Sequence, residues 1–474
     1  ELPPQAEEVL VAMFPGYRAV VIKDEFSALG YSGSWVYWVH LLGPEGDDAP
    51  ELPLVVKIGS VGLVEQEVRA YRECVHNQWP GVAELHGEPV FLEKSDLAGL
   101  CYPLLGGGVF PMKSLREYCL EAETEDIGFV LEKRLFRIME KCMLRPAHNV
   151  FEFPLRSSYD AILPVNLLVE PCPLSSDQAP ILITPDALPS SPLHPGAYVR
   201  IEGFTITEVD PRRGTVTLNV SPGKPPHAYR LRLQPVENLA VYHMGQVTPP
   251  VVGVVSDTRQ GRLADELAKA LEPALDLTCE TVTLPGGAGD RSVVLPNPLL
   301  AIPSILSESR HVKVNYIHGD MNLQNVLVDP QIRDVRLIDF AMSRRDHVLH
   351  DFLHLEMGVV TELVPVALAE AGLPAEAIYS FYKELHRITF QVGPGQDTVT
   401  HRLAHAALEK PFAILSALRK AAHGGFYDPG DFSEYYQGLT IYLLSALKFK
   451  DLDEVPEAKR VAFLGAATLR HLLS

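Results

Sequence analysis

From Tyr17 onward, apolar and polar positions alternate with a period of two. "YRAVVIKDEF", "SWVYWVHLL" and "LPLVVKIG" each read as a strand, and the turns between them carry Gly and Pro in "LGYSGS" and "GPEGDDAP". A short helix-like alternation over residues 5–14 precedes them. The period then becomes helical: Val61, Val64, Val68, Tyr71 and Val75 fall on one stripe of "VGLVEQEVRAYRECV". Two more β-like runs follow around 84–92 and 98–105, so the order through residue 105 is strand-strand-strand-helix-strand-strand.

"KSLREYCL" and "VLEKRLFRIMEKCML" predict helices over 113–147. Between about 165 and 255 prolines multiply and alternation returns in "AYVRIEGFTITEVD", "GTVTLNVS" and "AYRLRLQPV", with "DPRRG" as a turn. This predicts an inserted antiparallel β subdomain, barrel-like in form. Beyond Asp257 helices dominate to the end, interrupted by Tyr316–Ser343. The expected organisation is a β-rich N-lobe over 1–105, the first C-lobe helices over 106–164, the β insertion over 165–255 and a helical C-lobe over 256–474.

Composition narrows the class. A chain of 474 residues with 47% hydrophobic and 21% charged positions reads as soluble, with two or more domains or lobes. No apolar run reaches the ~18 residues of a membrane helix, and the start "ELPPQAEEVL" shows neither a basic nor an apolar leader segment. The net charge of −19 argues against wholesale nucleic-acid binding. Cysteines at 74, 101, 119, 142, 172 and 279 form no CxxC pair, and reduced cytoplasmic thiols are expected.

The chemistry concentrates in "YIHGDMNLQNVLVDPQIRDVRLIDFAMS", Tyr316 to Ser343. Phosphoryl transfer needs a carboxylate for the incoming hydroxyl, oxygen ligands for Mg²⁺ and a cation for the phosphates. Asp320 follows a strand in a tight loop eased by Gly319, Asn325 feeds "VLV", and Asp339 ends "VRLI". If the two strands pair around "DPQIRD", Asn325 and Asp339 approach each other as metal ligands and Asp320 faces the same cleft as the catalytic carboxylate.

"HGDMNLQN…LIDFA" resembles the catalytic and metal loops of the aminoglycoside phosphotransferase and choline kinase-like superfamily, relatives of the protein kinases. Within it, "SLREYCLEAETEDIGFVLEKRLF" and "VLHDFLHLE" are similar to a bacterial kinase-like phosphotransferase domain associated with ternary-complex systems. The resemblance implies an α+β, two-lobed protein-kinase-like fold with the β subdomain inserted. It implies that Lys57 in the third strand grips the phosphates. Periodicity does not choose between Glu65 and Glu67 as its partner, since they flank the apolar stripe on opposite sides; the family pattern favours Glu67. It also implies that the "GYSGSW" turn, with Ser32, Gly33 and Ser34, covers the phosphates with backbone N–H groups.

His318 reads as a brace for the loop, and Asp351 as a helix N-cap that the resemblance also ties to the catalytic loop. His347, His350 and His354 share a helical face without supporting carboxylates, which argues against a zinc site. Gly319, Asn322 and the short distance from "DFA" to His350-Asp351 point to a small-molecule-type kinase without phospho-switching. The expected activity is ATP- or GTP-dependent, Mg²⁺-dependent phosphotransfer to a small-molecule hydroxyl. The alternative is a nucleotide-binding pseudokinase serving as scaffold or sensor in a multi-protein bacterial system. From His194 to Leu233 six Arg/Lys stand against three acids, so the β insertion reads as a solvated structural insertion or, alternatively, as a basic surface for an acidic protein partner or nucleic acid.

Overall fold

The computed structural model describes residues 3–25, 34–43, 54–76, 78–80, 82–93, 95–103, 112–174, 179–189, 193–211, 213–220, 229–270, 276–284, 292–391, 402–455 and 457–473. The chain forms two compact units, each assembled from separate stretches: Glu1–Asn149 with Lys313–Val359 and Glu409–Pro429, and Val150–Val312 with Val360–Leu408 and Gly430–Ser474. The architecture is α+β, β-rich at the start and helical toward the end.

The first unit begins with helix α1 (Pro4–Met13), then strands β1 (Ala19–Glu25), β2 (Trp35–Leu42) and β3 (Leu54–Ser60), helix α2 (Val61–Ala70), and strands β4 (Val90–Phe91) and β5 (Leu97–Pro103). These match the elements that periodicity predicts. The sheet order is β1-β2-β3-β5-β4, so β3 is central. Alternation decides what β3 carries on each face. Leu54, Val56 and Ile58 pack with Ala6, Val9 and Leu10 of α1. Lys57 lies one residue out of phase and therefore on the other face. That face is covered by α2, where Val64 and Val68 pack with Ala98, Leu100 and Tyr102 of β5. Ser60 caps α2 by accepting from Leu63 N–H at 3.4 Å.

The segment Val326–Asp329 pairs antiparallel with Asp334–Leu337, which is the hairpin expected around "DPQIRD". Asp329 Oδ1 accepts from the Gln331 and Ile332 N–H groups and shapes its turn. Helix Leu115–Glu121 opens on a capping box between Ser114 and Glu117. Helices His350–Gly358 and Glu409–Ala422 are joined by a buried ion pair: Arg419 Nη2 reaches Glu356 Oε1 at 2.6 Å, and its Nε lies 3.1 Å from Oε2. One helical run, His350–Glu370, is long and apolar enough to cross a membrane, yet 78% of its apolar window is buried in the protein.

The second unit contains a seven-stranded sheet. Its order is Thr205–Asp210, Thr215–Asn219, Leu231–Leu233, Leu167–Pro171, Val251–Thr258, Tyr198–Ile201, Ile181–Ile183. Most neighbours are antiparallel, but Ile181–Ile183 runs parallel to Tyr198–Ile201, and Leu231–Leu233 parallel to Leu167–Pro171. A parallel pair needs a long crossover, which the chain between Ile183 and Tyr198 supplies. Every strand gives residues to one core, including Val169, Ile183, Ile201, Ile206, Leu218, Leu233 and Val255. A shared core of this kind requires the sheet to curl around it. A hairpin, Thr281–Leu284 with Val293–Pro296, lies outside the elements that periodicity predicts. Helix Ser433–Ala446 is buried from Glu434 to Ala446 around its whole circumference, so its sequence carries no amphipathic stripe.

Removing one member of a buried ion pair strands the other. Arg419→Met is expected to destabilise the protein by about 3–5 kcal/mol in urea unfolding, and Arg419→Met with Glu356→Leu to recover most of that loss.

Candidate phosphotransfer site

Lys57 is the group around which the site closes. Its Nζ lies 2.8 Å from Glu67 Oε2 and 3.3 Å from Asp339 Oδ2. Lys57 is 8% exposed and Glu67 2%. Burial works against the ammonium charge, but the two carboxylates outweigh it and raise the Lys57 pKa. Burial likewise pushes Glu67 up, while Lys57 and the Tyr102 hydroxyl, which donates to Oε1 at 2.7 Å, pull it back. Geometry thus settles what periodicity leaves open on α2: Glu67 faces the lysine, and Glu65 is exposed.

The loop at 318–325 is held from several sides. Asp351 accepts from His318 N–H and Gly319 N–H, each at 2.8 Å. It does not cap its own helix, whose N-cap position is Leu349. Burial pushes the Asp351 pKa to about 6, against the pull of those two N–H groups. His318 Nε2 contacts Ile338 O at 2.9 Å, and Asp320 N–H points to Nδ1 at 3.3 Å. One neutral tautomer, protonated on Nε2, satisfies both contacts, and burial lowers the His318 pKa accordingly. Gly319 has φ +82°, and a Cβ there would meet Met342 O at 2.2 Å. No larger residue fits that close approach.

Asn325 Nδ2 donates to Asp320 O at 2.8 Å and to Asp320 Oδ2 at 3.0 Å. Both bonds use the amide nitrogen and leave Oδ1 as the atom available to a cation. Asn322 Oδ1 accepts from Gln324 N–H and Asn325 N–H, both at 2.9 Å. This is an Asx-type brace, and it gives the unusual Asn322 a structural task. Ile338 N–H donates to Asn325 O at 3.1 Å at the open end of the hairpin, which brings Asp339 beside Asn325. Asp339 has φ +62°, a left-handed conformation that Asp tolerates better than most residues.

Asp320 is deep-set, and burial first, then the nearby Asp339 charge, pushes its pKa to about 6 against the pull of His318 and Asn325. Its side chain nevertheless keeps 36% of its surface accessible, as a group meeting an acceptor must. His354 Nδ1 stands 3.6 Å from Asp320 Oδ1. A column of rings, Tyr71 to Phe340 at 6.4 Å and Phe340 to His318 at 4.8 Å, runs from the α2 side through the metal loop to the catalytic loop. Gln66 Nε2 donates to Ala341 O at 3.0 Å along the same route.

Of the residues singled out from sequence, Lys57, Glu67 and Asp339 meet directly, and Asp320 and Asn325 bond to each other beside them. Ser34 lies beside Gly59 of β3, where its Oγ would be 2.6 Å from an added Cβ. Ser32 and Gly33 lie outside the described residues. The sequence reading assigns Tyr102 and Gln66 no role, and it shows His354 only as one of three histidines on a helical face, not as a neighbour of Asp320. Tyr102 was within reach, because β5 alternation puts it on the same face as Leu100. Among the described residues no group of three or more His, Cys, Asp or Glu is placed to hold a metal. His347 and His350 are fully buried instead, and burial takes the His350 pKa down to about 3. Two hard oxygen donors, Asn325 Oδ1 and the Asp339 carboxylate, fit a Mg²⁺ ion that takes its remaining ligands from water and phosphate.

No curated protein matches the chain. Solved structures similar to it include aminoglycoside-3'-phosphotransferase of type VIII, at 16% identity over 94% of this chain and 100% of that one, with a TM-score of 0.35. Amicoumacin kinase, in complex with AMP-PNP, Ca²⁺ and Ami, aligns at 9% identity over 99% and 97% of the two chains, with a TM-score of 0.35. Spectinomycin phosphotransferase, in complex with ADP and spectinomycin, aligns at 10% identity over 98% of each, with a TM-score of 0.34. Residues 28–448 match the sequence profile of ternary complex associated domain 9. That match spans most of the chain, which therefore belongs to the ternary complex associated domain 9 family.

Proposed function

We propose that this protein is a cytoplasmic ATP–Mg²⁺-dependent phosphotransferase whose acceptor is the hydroxyl of a small molecule. The observation that supports it is a buried lysine clasped by Glu67 and Asp339, in the same compact unit as the Asp320–Asn325 pair. Glu67 alone would complete an ion pair; the second carboxylate, on a left-handed loop residue beside Asn325, stands where a phosphate chain and its cation could share the lysine.

Lys57 would take the α- and β-phosphates, with Glu67 fixing its ammonium and Tyr102 fixing Glu67. The backbone around Ser34 would cover the phosphates. Asn325 and Asp339 would hold Mg²⁺, which when bound neutralises charge developing on the phosphate oxygens. Asp320 would orient the acceptor hydroxyl and accept its proton, with Asn325 Nδ2 aiming one carboxylate oxygen so that the other faces the hydroxyl. Asp351 and the ring column keep this constellation in place before substrates arrive, so that orientation supplies much of the acceleration.

Labelled-phosphate transfer from ATP–Mg²⁺ to pools of hydroxyl-bearing small molecules tests the reading. Asp320→Asn should lower turnover about 10²–10⁴-fold while thermal stabilisation by nucleotide persists. Lys57→Met should weaken that stabilisation as well. Nucleotide stabilisation without transfer to any acceptor would instead assign a pseudokinase scaffold or sensor.

The pH dependence has a definite sign. A carboxyl with its pKa raised to about 6 is protonated below that value and cannot accept a proton. With Mg²⁺ present turnover should therefore fall as pH drops, the limb lying below about 6 because a nearby positive charge favours the ionised form. A kcat/KM that stays flat as pH drops through that range would remove Asp320 as the base.

A further inference from the structure

The second unit holds a cavity of about 620 Å³ that the phosphotransfer chemistry does not use. It lies between the curled sheet and helix Arg259–Ala270, and its lining carries six Arg/Lys against three Asp/Glu. In a chain of net charge −19 that local excess is unexpected. We infer that this cavity is a binding site for an organic phosphate, with the phosphoryl groups on its arginines and the organic part on its apolar wall.

Three guanidinium groups make the argument. Arg230 spends Nη2 on the carbonyls of Asp160 at 2.7 Å and Leu163 at 2.5 Å, and its Nε lies 3.4 Å from Asp160 Oδ2. Asp160 is itself shared with Arg259 at 2.8 Å. Arg232 reaches Glu208 at 3.2 Å, and that carboxylate is half exposed. Arg262 donates to Val165 O and to Thr258 O, and among the described residues it has no carboxylate within ion-pair distance. Burial, with the nearby Arg259, Arg232 and Arg230 charges, holds its pKa down at about 10 against the pull of Asp257. Backbone carbonyls fix the orientation of Arg230 and Arg262, and the Thr217 hydroxyl and Glu208 that of Arg232, while the lining keeps an excess of positive charge.

The acids in the lining offset only part of this. Glu266 is occupied by Lys269 at 2.7 Å, Lys450 at 2.9 Å and Lys459 at 3.1 Å. Asp257, whose Oδ1 accepts from Thr258 N–H at 2.7 Å, and Asp265 still leave six cationic side chains against three acids. A multiply charged anion would relieve the mutual repulsion of the arginines, and planar forks held in place suit phosphate oxygens. The volume is that of a small-molecule site. Leu163, Val165 and Leu263 supply an apolar wall on which a base or other organic body can rest. The lining belongs to one compact unit and shares no residue with the Lys57 site, so the inference stands apart from the phosphotransfer reading.

Calorimetric titration of the full chain with inorganic pyrophosphate and with a nucleoside diphosphate tests it. A pyrophosphate site is expected that survives Lys57→Met and is weakened about ten- to a hundredfold by Arg262→Gln. Arg232→Gln, at a half-exposed position, should weaken it too and guards against misfolding of the first variant. The nucleoside diphosphate should bind this site more tightly than pyrophosphate in the Lys57→Met background. Unchanged pyrophosphate affinity in both arginine variants, or loss of all binding in Lys57→Met, would overturn the inference. So would tight binding of a short oligonucleotide that pyrophosphate cannot displace.

Discussion

Burying a cation is costly, and the first unit is arranged around the one at Lys57. An ammonium withdrawn from water keeps its proton only if carboxylates come within contact distance. Glu67 comes from α2, Asp339 from the end of the hairpin, and Tyr102 from the neighbouring strand to hold Glu67. Strand alternation delivers two of these groups: β3 points Lys57 away from α1, and β5 points Tyr102 toward Glu67. Glu67 comes from one side of the α2 stripe, and Asp339 from a left-handed residue after its strand. Loss of any one of these would leave a charge or a hydroxyl in a dry interior.

The same logic explains which parts of the site were legible in the sequence. Asp320, Asn325 and Asp339 stand out by their spacing around two short strands, whereas Lys57 was placed in the site by the resemblance. Glu67 was legible only through resemblance, because helical spacing alone leaves Glu65 and Glu67 symmetric about the Val64/Val68 stripe. Asn322 was misleading in isolation, since its oxygen serves backbone N–H groups two and three residues on, a local bond that a motif cannot report. Asp351 read as a cap because an acid at a helix start usually is one, yet its two oxygens were claimed by a loop distant in sequence.

The fold was read with similar unevenness. The five-stranded sheet and α2 followed from clean alternation on a half-buried surface. The hairpin at Thr281–Pro296 did not, since its short strands are too brief to establish a period. Alternation in the insertion gave the strands but not their directions: parallel neighbours such as Ile181–Ile183 and Tyr198–Ile201 depend on crossovers, which side-chain period does not encode. Helix Ser433–Ala446 offered no stripe because every side of it is covered.

The clasp between Asp351 and the His318-Gly319 backbone has a consequence for chain entropy. It joins residues 32 and 33 positions apart, and between its ends lie Asp320, Asn325 and Asp339. The cost of closing such a ring grows only with the logarithm of its length, by about 0.6 kcal/mol per doubling. Three of the four candidate groups therefore lie within one short loop closed by hydrogen bonds. Their mutual spacing is protected from insertions elsewhere in the polypeptide, and the lysine is the sole member whose distance from the others depends on how the long intervening chain is organised.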